Sequence, residues 1–294
     1  YVQYIANVLT GDLGTSIRFN RTVSDMLVER LPVTVELTLY ALLFATVVGI
    51  LLGRAAATRR NSPADVGTMV IANLGVSIPV FVLGLMLAYV FAVVLKDTIF
   101  ALPPSGRLTP GTEVVPLVEA WGLEDLTGVP RTILDFMSNI LTFNAIVTLN
   151  GPLLVDTVRH MILPAIALGT IPMAIIARMT RSSLLDVLGL DYIRTARAKG
   201  VAERQVISAH AMRNALLPIV TIIGLSLGGL LSGAVLTETI FNLTGIGKSI
   251  YEAITGRDYI VIQGLVLVVA SIYVIVNLIV DVSYAFLDPR IRLG

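Results

Sequence analysis

The chain has 294 residues, of which 55% are hydrophobic and only 14% are charged, and its net charge is +1. Ordinary globular proteins carry roughly 25% charged residues, and a soluble core does not grow large enough to bury this much apolar surface. The small net charge excludes a polyanion-binding protein driven by bulk charge. The absence of cysteine excludes a disulfide scaffold, a thiolate metal site and a cysteine nucleophile. The composition therefore predicts an integral membrane protein.

The first stretch of the chain, residues 1–32, is amphipathic and too polar to lie in hydrocarbon. Its polar residues include Gly11-Asp12, Asn20-Arg21, Asp25 and Glu29-Arg30. We predict that this stretch is an external segment outside the bilayer. The chain begins with Tyr1 rather than methionine, so we expect that it is truncated at its start.

Five longer stretches contain no Asp, Glu, Lys or Arg. Each runs for 17 to 30 residues, and about 20 apolar residues cross a ~30 Å hydrocarbon layer as a helix. A β-barrel would instead show segments of about ten residues with alternating polarity, and the sequence has none. We predict an all-α membrane domain over residues 33–287, followed by a cytoplasmic tail, 288–294. Its predicted spans are 33–55, 67–95, 160–179, 214–237 and 259–282.

Residues 96–159 form a predicted external insertion between the second and third spans. Within it, residues 136–155 also lack charge, but they contain Asn139, Asn144, Asn150 and Gly151-Pro152. Amide side chains are costly in lipid, and a Gly-Pro pair ends a helix. We interpret 136–155 as a helix on or near the membrane surface, with a true span as the alternative.

Basic residues in the short loops orient the chain, because Lys and Arg concentrate on the cytoplasmic side of a membrane. With five spans, the short loops on one side carry 12 Lys and Arg against five on the other. The loop at 178–213 is therefore predicted to be cytoplasmic. This placement holds whether or not 136–155 spans the bilayer.

No catalytic or ion-coupling site is visible in the sequence. Gly245-Ile246-Gly247-Lys248-Ser249 lacks the first glycine of a phosphate-binding loop, since Asn242 stands in its place. We predict a glycine-rich turn between two helices there. His160 and His210 fall on opposite faces of the predicted membrane and cannot share a metal ion. Charged residues stand at the edges of the spans rather than in their middles, so an energy source must act from outside the bilayer.

Part of the 178–213 loop is predicted to form a short helix between Gly189 and Gly200. Asp191 suits its N-terminus, Lys199 suits its C-terminus, and Gly200 can adopt the left-handed conformation that ends a helix. About nine residues give a rod of roughly 13 Å, too short to cross a membrane. The residues alone allow two interpretations. The segment is either a helix that contacts a partner through its small and basic residues, or an ordinary basic loop.

This loop is similar to that of the binding-protein-dependent ABC transporter permeases, in their dipeptide/oligopeptide branch. The resemblance begins at Asp191–Gly200, where Thr195-Ala196-Arg197 replaces the Glu-Ala-Ala of the family motif, and continues at His210–Pro218. Other matching stretches are Gly11–Ser16, Arg30–Thr34, Ser77–Phe81, Thr180–Ser183, Gly233–Glu238 and Leu287–Arg292. The likeness covers nearly all of the chain and is weakest over 110–158.

The resemblance implies the type I ABC importer transmembrane fold, which has six spans, so we expect that the first family helix is missing from the five spans seen here. It implies a helix that couples the chain to a separate ATPase. Its residues would be Asp191, Tyr192, Arg194, Thr195, Ala196, Arg197, Ala198, Lys199 and Gly200. Residues supporting this loop would be Arg181, His210, Arg213, Asn214 and Pro218. Candidate pathway residues are Asn73, Ser77, Pro79, Phe81, Gly224 and Ser226, with close helix packing as the alternative role for the small ones.

The function implied is that of a non-enzymatic permease subunit that imports di- or oligopeptides across a prokaryotic cytoplasmic membrane by alternating access. The implied partners are a second homologous permease, two ABC ATPase subunits and an extracytoplasmic peptide-binding protein, with no nucleic acid. ATP and Mg²⁺ would bind to the ATPase subunits, and this chain would bind no cofactor or metal. The alternatives are an autonomous channel or secondary carrier, or an ABC permease for another solute such as nickel or glutathione.

Overall fold

A computed structural model describes residues 6, 8 and 10–287 of the chain. Within these residues the structure is helical and has no β-strand, only an isolated antiparallel bridge between Thr15 and Thr22. The predicted all-α class is therefore confirmed. The predicted tail, 288–294, lies outside the described residues, as do several residues at the start of the predicted N-terminal segment.

Four helical stretches are long and apolar enough to cross a membrane, and a bent helix pair makes a fifth candidate. The stretches are Val23–Thr58, Gly151–Leu188, Glu203–Leu231 and Tyr259–Val280, and the bent pair is Pro63–Ser77 with Val80–Val94. The helices, in chain order, are α1 (Val23–Thr58), α2 (Pro63–Ser77), α3 (Val80–Tyr89), α4 (Leu117–Ala120), α5 (Val129–Ser138), α6 (Leu141–Val147), α7 (Gly151–Leu188), α8 (Asp191–Ala198), α9 (Glu203–Gln205), α10 (Met212–Gly233), α11 (Val235–Ile240), α12 (Ile246–Gly256) and α13 (Tyr259–Leu287). Short π-helical turns follow α3 and precede α10.

The helix predicted at 67–95 is not continuous, because the chain breaks between α2 and α3, which are bent by 104°. That this bent pair spans the membrane stays a prediction. Ile78 has φ −84° and ψ 124°, an extended conformation that residues preceding a proline favour. Pro79 then cannot donate a backbone hydrogen bond to the preceding turn. The absence of charge correctly predicted that this part of the chain is apolar, but polarity alone does not reveal a break in a helix.

The first transmembrane candidate also begins earlier than predicted. Helix α1 starts at Val23 rather than at residue 33, so residues 23–32 are helical. Asp25 lies in the first turn, where a negative charge favours the helix N-terminus. Val23 and Met26 are buried, which explains how this polar stretch joins the long helix.

Residues 136–155 form the end of α5, the whole of α6 and the start of α7 rather than one continuous helix. Helix α6 has seven residues, which span only about 10 Å and cannot cross a bilayer. The Asn144 amide is buried and donates to the carbonyls of Val115 and Ser138 at 3.1 and 3.3 Å. This amide therefore ties the insertion together. The surface location of the segment stays a prediction.

The chain forms two compact units, and several long helices contribute to both. Unit 1 comprises Tyr1–Tyr40, Val80–Leu168 and Leu231–Tyr273, and unit 2 comprises Ala41–Pro79, Gly169–Leu230 and Val274–Gly294. One core of unit 1 lies where α1, α12 and α13 pack together. Its buried residues are Leu13, Val23, Met26, Ile246, Ala253, Val261 and Leu265. The core of unit 2 is built around α7, α8 and α10 and supports the candidate site.

Candidate functional site

Helix α8 is the short helix that the sequence predicts between Gly189 and Gly200, and the structure confirms that it is helical. Its eight residues follow Leu190, whose extended backbone ends the preceding turn. Lys199 caps the C-terminal end, and Gly200 has φ +76°. The amide of Val201 donates to the Ala196 carbonyl at 3.2 Å. This reversal needs a left-handed residue, which explains the glycine at position 200.

The inner face of α8 is anchored in the core of unit 2. Ile193 is fully buried, and Ala196 and Val201 pack against the same cluster. The other buried members of the cluster are Ala45, Ala57, Met173, Ile176, Leu184, Val206, Ala211, Ala215 and Ile219. Burying an isoleucine side chain stabilises a structure by about 1.5–3 kcal/mol. The anchor therefore holds α8 firmly against helices that continue into the predicted membrane region.

Polar contacts fix the side of α8 that faces α10. The Asn214 amide donates to the Tyr192 hydroxyl at 2.6 Å, and that hydroxyl donates to the His210 carbonyl at 3.3 Å. The structure thus brings together three residues that the sequence proposed for this loop. Arg213 and Pro218, which were proposed with them, are exposed on α10.

The outer face of α8 is exposed and mostly basic. The side chains of Asp191 and Arg194 are 95% and 74% exposed and lie 3.4 Å apart. Arg197 makes a two-point contact with the Glu203 carboxylate, at 3.1 Å from Nε and 2.7 Å from Nη2. These hydrogen bonds raise the pKa of the Arg197 guanidinium above its already high ordinary value. Thr195, Ala198 and Lys199 complete the exposed face. Such a rod is suited to docking into a protein cleft rather than to making or breaking bonds.

Arg181, also proposed to support the loop, lies one helix away from α8 and binds a residue that the sequence analysis missed. Its Nε and Nη2 donate to the two carboxylate oxygens of Asp65 at 2.7 and 2.8 Å. The Asp65 side chain is only 6% exposed. The available signal was the position of Asp65, the last charge before a charge-free window.

The candidate pathway residues differ in their contacts and in their positions on the helices. The Asn73 amide oxygen accepts a hydrogen bond from Arg178 Nη1 at 2.9 Å. The hydroxyls of Ser77 and Ser226 donate to carbonyls four residues earlier in their own helices. Pro79 marks the break after α2, and Phe81 is 45% exposed on α3.

Gly224 provides evidence for the alternative role, close helix packing. A Cβ atom at position 224 would lie 2.6 Å from the Val280 side chain, so α10 and α13 approach closely there. A role for this glycine in lining a pathway stays a prediction, as it does for the other candidates.

The turn predicted at 245–249 is confirmed only at Gly245, which lies in the connection between α11 and α12, because Ile246–Ser249 form the first turn of α12. Gly245 caps α12, and the Glu238 carboxylate accepts hydrogen bonds from the backbone amides of Gly247 and Lys248, the latter at 2.9 Å. Thr34 on α1 also donates to Glu238, at 2.6 Å. The chain therefore supplies its own carboxylate at the helix N-terminus, where a nucleotide-binding loop would hold a phosphate. Burial of Glu238 raises its pKa to about 7, against the effect of these donors and of Lys248.

A second buried carboxylate fastens the insertion to α1. Glu36 lies 2.7 Å from Arg107 Nη2 and accepts hydrogen bonds from the amide and hydroxyl of Thr142 at 2.7 and 2.6 Å. Arg107 also donates to the Asn139 carbonyl at 2.7 Å. Within the described residues, no group of three or more potential ligands is arranged to hold a metal ion.

The family of binding-protein-dependent transport system inner membrane components matches residues 46–293 of the chain. The chain belongs to this family. It is 47% identical to the dipeptide transport system permease protein DppB of Escherichia coli (strain K12) and 45% identical to that of Alkalihalophilus pseudofirmus. It is 44% identical to the di/tripeptide transport system permease protein DppB of Pseudomonas aeruginosa. Each match extends over 292 residues, or 99% of this chain and 80% of the relative.

These findings confirm the resemblance to the dipeptide/oligopeptide branch of the ABC permeases. The long apolar helices agree with a multi-pass membrane protein. Membership in a family of transport permease subunits is consistent with a chain that is not itself an enzyme.

Proposed function

We propose that this chain is the permease subunit of an ATP-driven importer that moves di- or oligopeptides across the cytoplasmic membrane of a prokaryote. The observation that carries the proposal is α8: a short helix with a buried anchor and an exposed basic face, in a chain that belongs to a transport family. The four to five apolar helices supply the membrane-embedded part that such a subunit needs.

In this proposal α8 is the coupling helix, and its outer face sits in a cleft of one ATPase subunit. Arg194 and Lys199 are exposed and can pair with carboxylates of the ATPase. Ala198 leaves room for a close approach. Because Ile193 is buried in the core of unit 2, a force on α8 acts on the packed helices rather than on a loose loop.

Transport then follows from movement of this contact. ATP and Mg²⁺ bind to two ABC ATPase subunits, and this chain binds no cofactor. Closure of the ATPase pair displaces α8, and the helices attached to it rearrange so that the pathway opens alternately to each side of the membrane. A second homologous permease completes the pathway, and an extracytoplasmic binding protein delivers the substrate.

Peptide is the proposed substrate because the relatives are named as dipeptide or di/tripeptide permeases and share 44–47% identity with almost the whole chain. The candidate pathway residues are those on α2, α3 and α10 given above. Their contribution to peptide selection is part of the proposal.

Reconstitution of the complete transporter in proteoliposomes tests the proposal. We expect ATP-dependent uptake of tritiated glycyl-leucine when the binding protein is present, and none with a non-hydrolysable ATP analogue. Scrambling residues 191–199 should abolish capture of the ATPase, while Arg131→Gln, on the external insertion, should not. Uptake driven by an ion gradient through the purified chain alone would contradict the proposal. Uptake of nickel or glutathione without peptide would contradict its substrate.

A further inference from the structure

The ion pair between Asp65 and Arg181 has a fixed geometry. Two nitrogens of Arg181 bind two oxygens of Asp65, so the planar guanidinium and the carboxylate are held in one orientation. Asp65 Oδ2 also accepts the amide hydrogen of Asn61 at 3.0 Å, and the amide of Asp65 donates to the Ser62 hydroxyl at 3.3 Å. The pair therefore joins the capped N-terminus of α2 to a defined position on α7.

The remaining contacts between α2 and α7 are close but mostly apolar or single-point. Gly75 packs against the Thr170 side chain, and the Asn73 amide binds Arg178. Ala72 on α2 and Ala174 and Ala177 on α7 form a small buried cluster. Packed helices can slide past one another by small amounts in shear motions. The two-point ion pair opposes such sliding along the helix axis, because it fixes the guanidinium and the carboxylate in one orientation.

Helix α7 connects this ion pair to α8. Arg181 lies seven residues before Leu188, the end of α7, and only Gly189 and Leu190 separate that end from α8. Leu184 on the last turns of α7 belongs to the same buried cluster as Ile193 on α8. A displacement of α8 therefore acts on the part of α7 that carries Arg181.

We propose that Asp65 and Arg181 are positioning residues that make α2 follow α7 when α8 moves, and so convert ATP hydrolysis into peptide transport. This inference rests on the proposed function of α8. When the ion pair is intact, α2 and α7 move together, and the movement reaches the break at Ile78–Pro79. When it is lost, α7 moves while α2 slips, so ATP is hydrolysed without a matching amount of transport.

The test measures tritiated glycyl-leucine imported per ATP hydrolysed by the complete transporter in proteoliposomes. Arg181→Gln removes the ion pair but leaves the cap of α2 in place. We expect peptide-stimulated ATP hydrolysis to stay within about twofold of the wild type and the peptide-to-ATP ratio to fall roughly tenfold. Arg181→Lys keeps the charge but loses the two-point geometry, so its ratio should fall less. Arg59→Gln, which alters an exposed arginine of the same unit, should leave the ratio unchanged.

The outcomes separate this inference from the proposed function. A wild-type transporter that imports no peptide contradicts the proposed function. A coupled wild type together with an unchanged ratio in Arg181→Gln overturns the role of the ion pair and leaves the proposed function standing. If Arg181→Gln does not assemble, Arg181→Lys decides the question, and an unchanged ratio in that variant overturns the inference. Equal losses of hydrolysis and transport would indicate a purely structural role and would also overturn it.

Discussion

Replacing Glu238 by alanine should destabilise unit 1 strongly. The substitution removes the acceptor for the Thr34 hydroxyl and for the backbone amides of Gly247 and Lys248. Thr34 itself accepts the amide hydrogen of Ile246 at 2.9 Å, so the loss also disturbs a chain of buried hydrogen bonds. The Glu238 residue is completely buried, which leaves little access for water to replace the carboxylate.

The magnitude follows from the groups left without partners. Each stranded buried donor costs about 1–3 kcal/mol, so three donors place the loss of unfolding free energy at about 3–9 kcal/mol. Single substitutions rarely cost more than about 5 kcal/mol, so we expect a loss of about 3–5 kcal/mol. In a chain of this size, that loss lowers the melting temperature by about 6–20 °C. Glu238→Gln preserves the side-chain volume and one acceptor oxygen, so its effect should be smaller.

The assay is thermal unfolding of the purified chain in detergent at pH 7, followed by circular dichroism. Glu124→Ala provides the control, because Glu124 is an exposed glutamate of the same unit and its melting temperature should match the wild type within about 1 °C. A shift below about 2 °C for Glu238→Ala would refute the reasoning, since it would mean that the buried donors find other partners at little cost.

Three further predictions concern conformation, packing and pH. Gly200→Val forces a β-branched residue to φ +76°, at a strain of about 1–2 kcal/mol. Capture of the ATPase in a pull-down should therefore fall about tenfold. Unchanged capture would exclude a role for this turn. Gly53→Val inserts methyl groups against the Ala177 carbonyl and should lower the unfolding free energy by about 1–3 kcal/mol, whereas Gly67→Ala, at an open position, should not. The pKa of Glu238 is raised to about 7 in the folded chain, so the folded state binds more protons than the unfolded state between about pH 4.5 and pH 7. The free energy of unfolding should therefore decline as the pH rises through this range. Melting temperatures measured at pH 5 and pH 8 should show the decline in the wild type and not in Glu238→Gln.

The features that the sequence predicted well depend on local signals. Helix α8 is marked by Asp191 at its start, Lys199 at its end and Gly200 after it, all within ten residues. The turn at Gly245 could be recognised because Asn242 stands where a phosphate-binding loop has its first glycine. Charge-free windows likewise identified the apolar helices, because each charged side chain placed in lipid costs free energy on its own.

The features that the sequence did not reveal depend on distant pairing. Asp65 and Arg181 are separated by 116 positions, and Glu36 and Arg107 by 71. In the sequence, each of these residues is an ordinary charged residue with no partner nearby along the chain. Only the packed structure shows that each one forms an ion pair with a distant residue. The break at Pro79 was missed for another reason: the windows measured polarity and ignored the backbone restriction that proline imposes.

The division of α8 into a buried side and an exposed side has a consequence for how the chain can change. Ile193 and Ala196 pack into the core of unit 2, and Tyr192 bonds to Asn214, while the side chains of Arg194, Thr195 and Lys199 are exposed. If α8 docks onto an ATPase as proposed, substitutions on the exposed side can alter which surface the helix recognises without disturbing its attachment. Related permeases could diverge in partner choice through a few surface residues while the membrane helices stay the same.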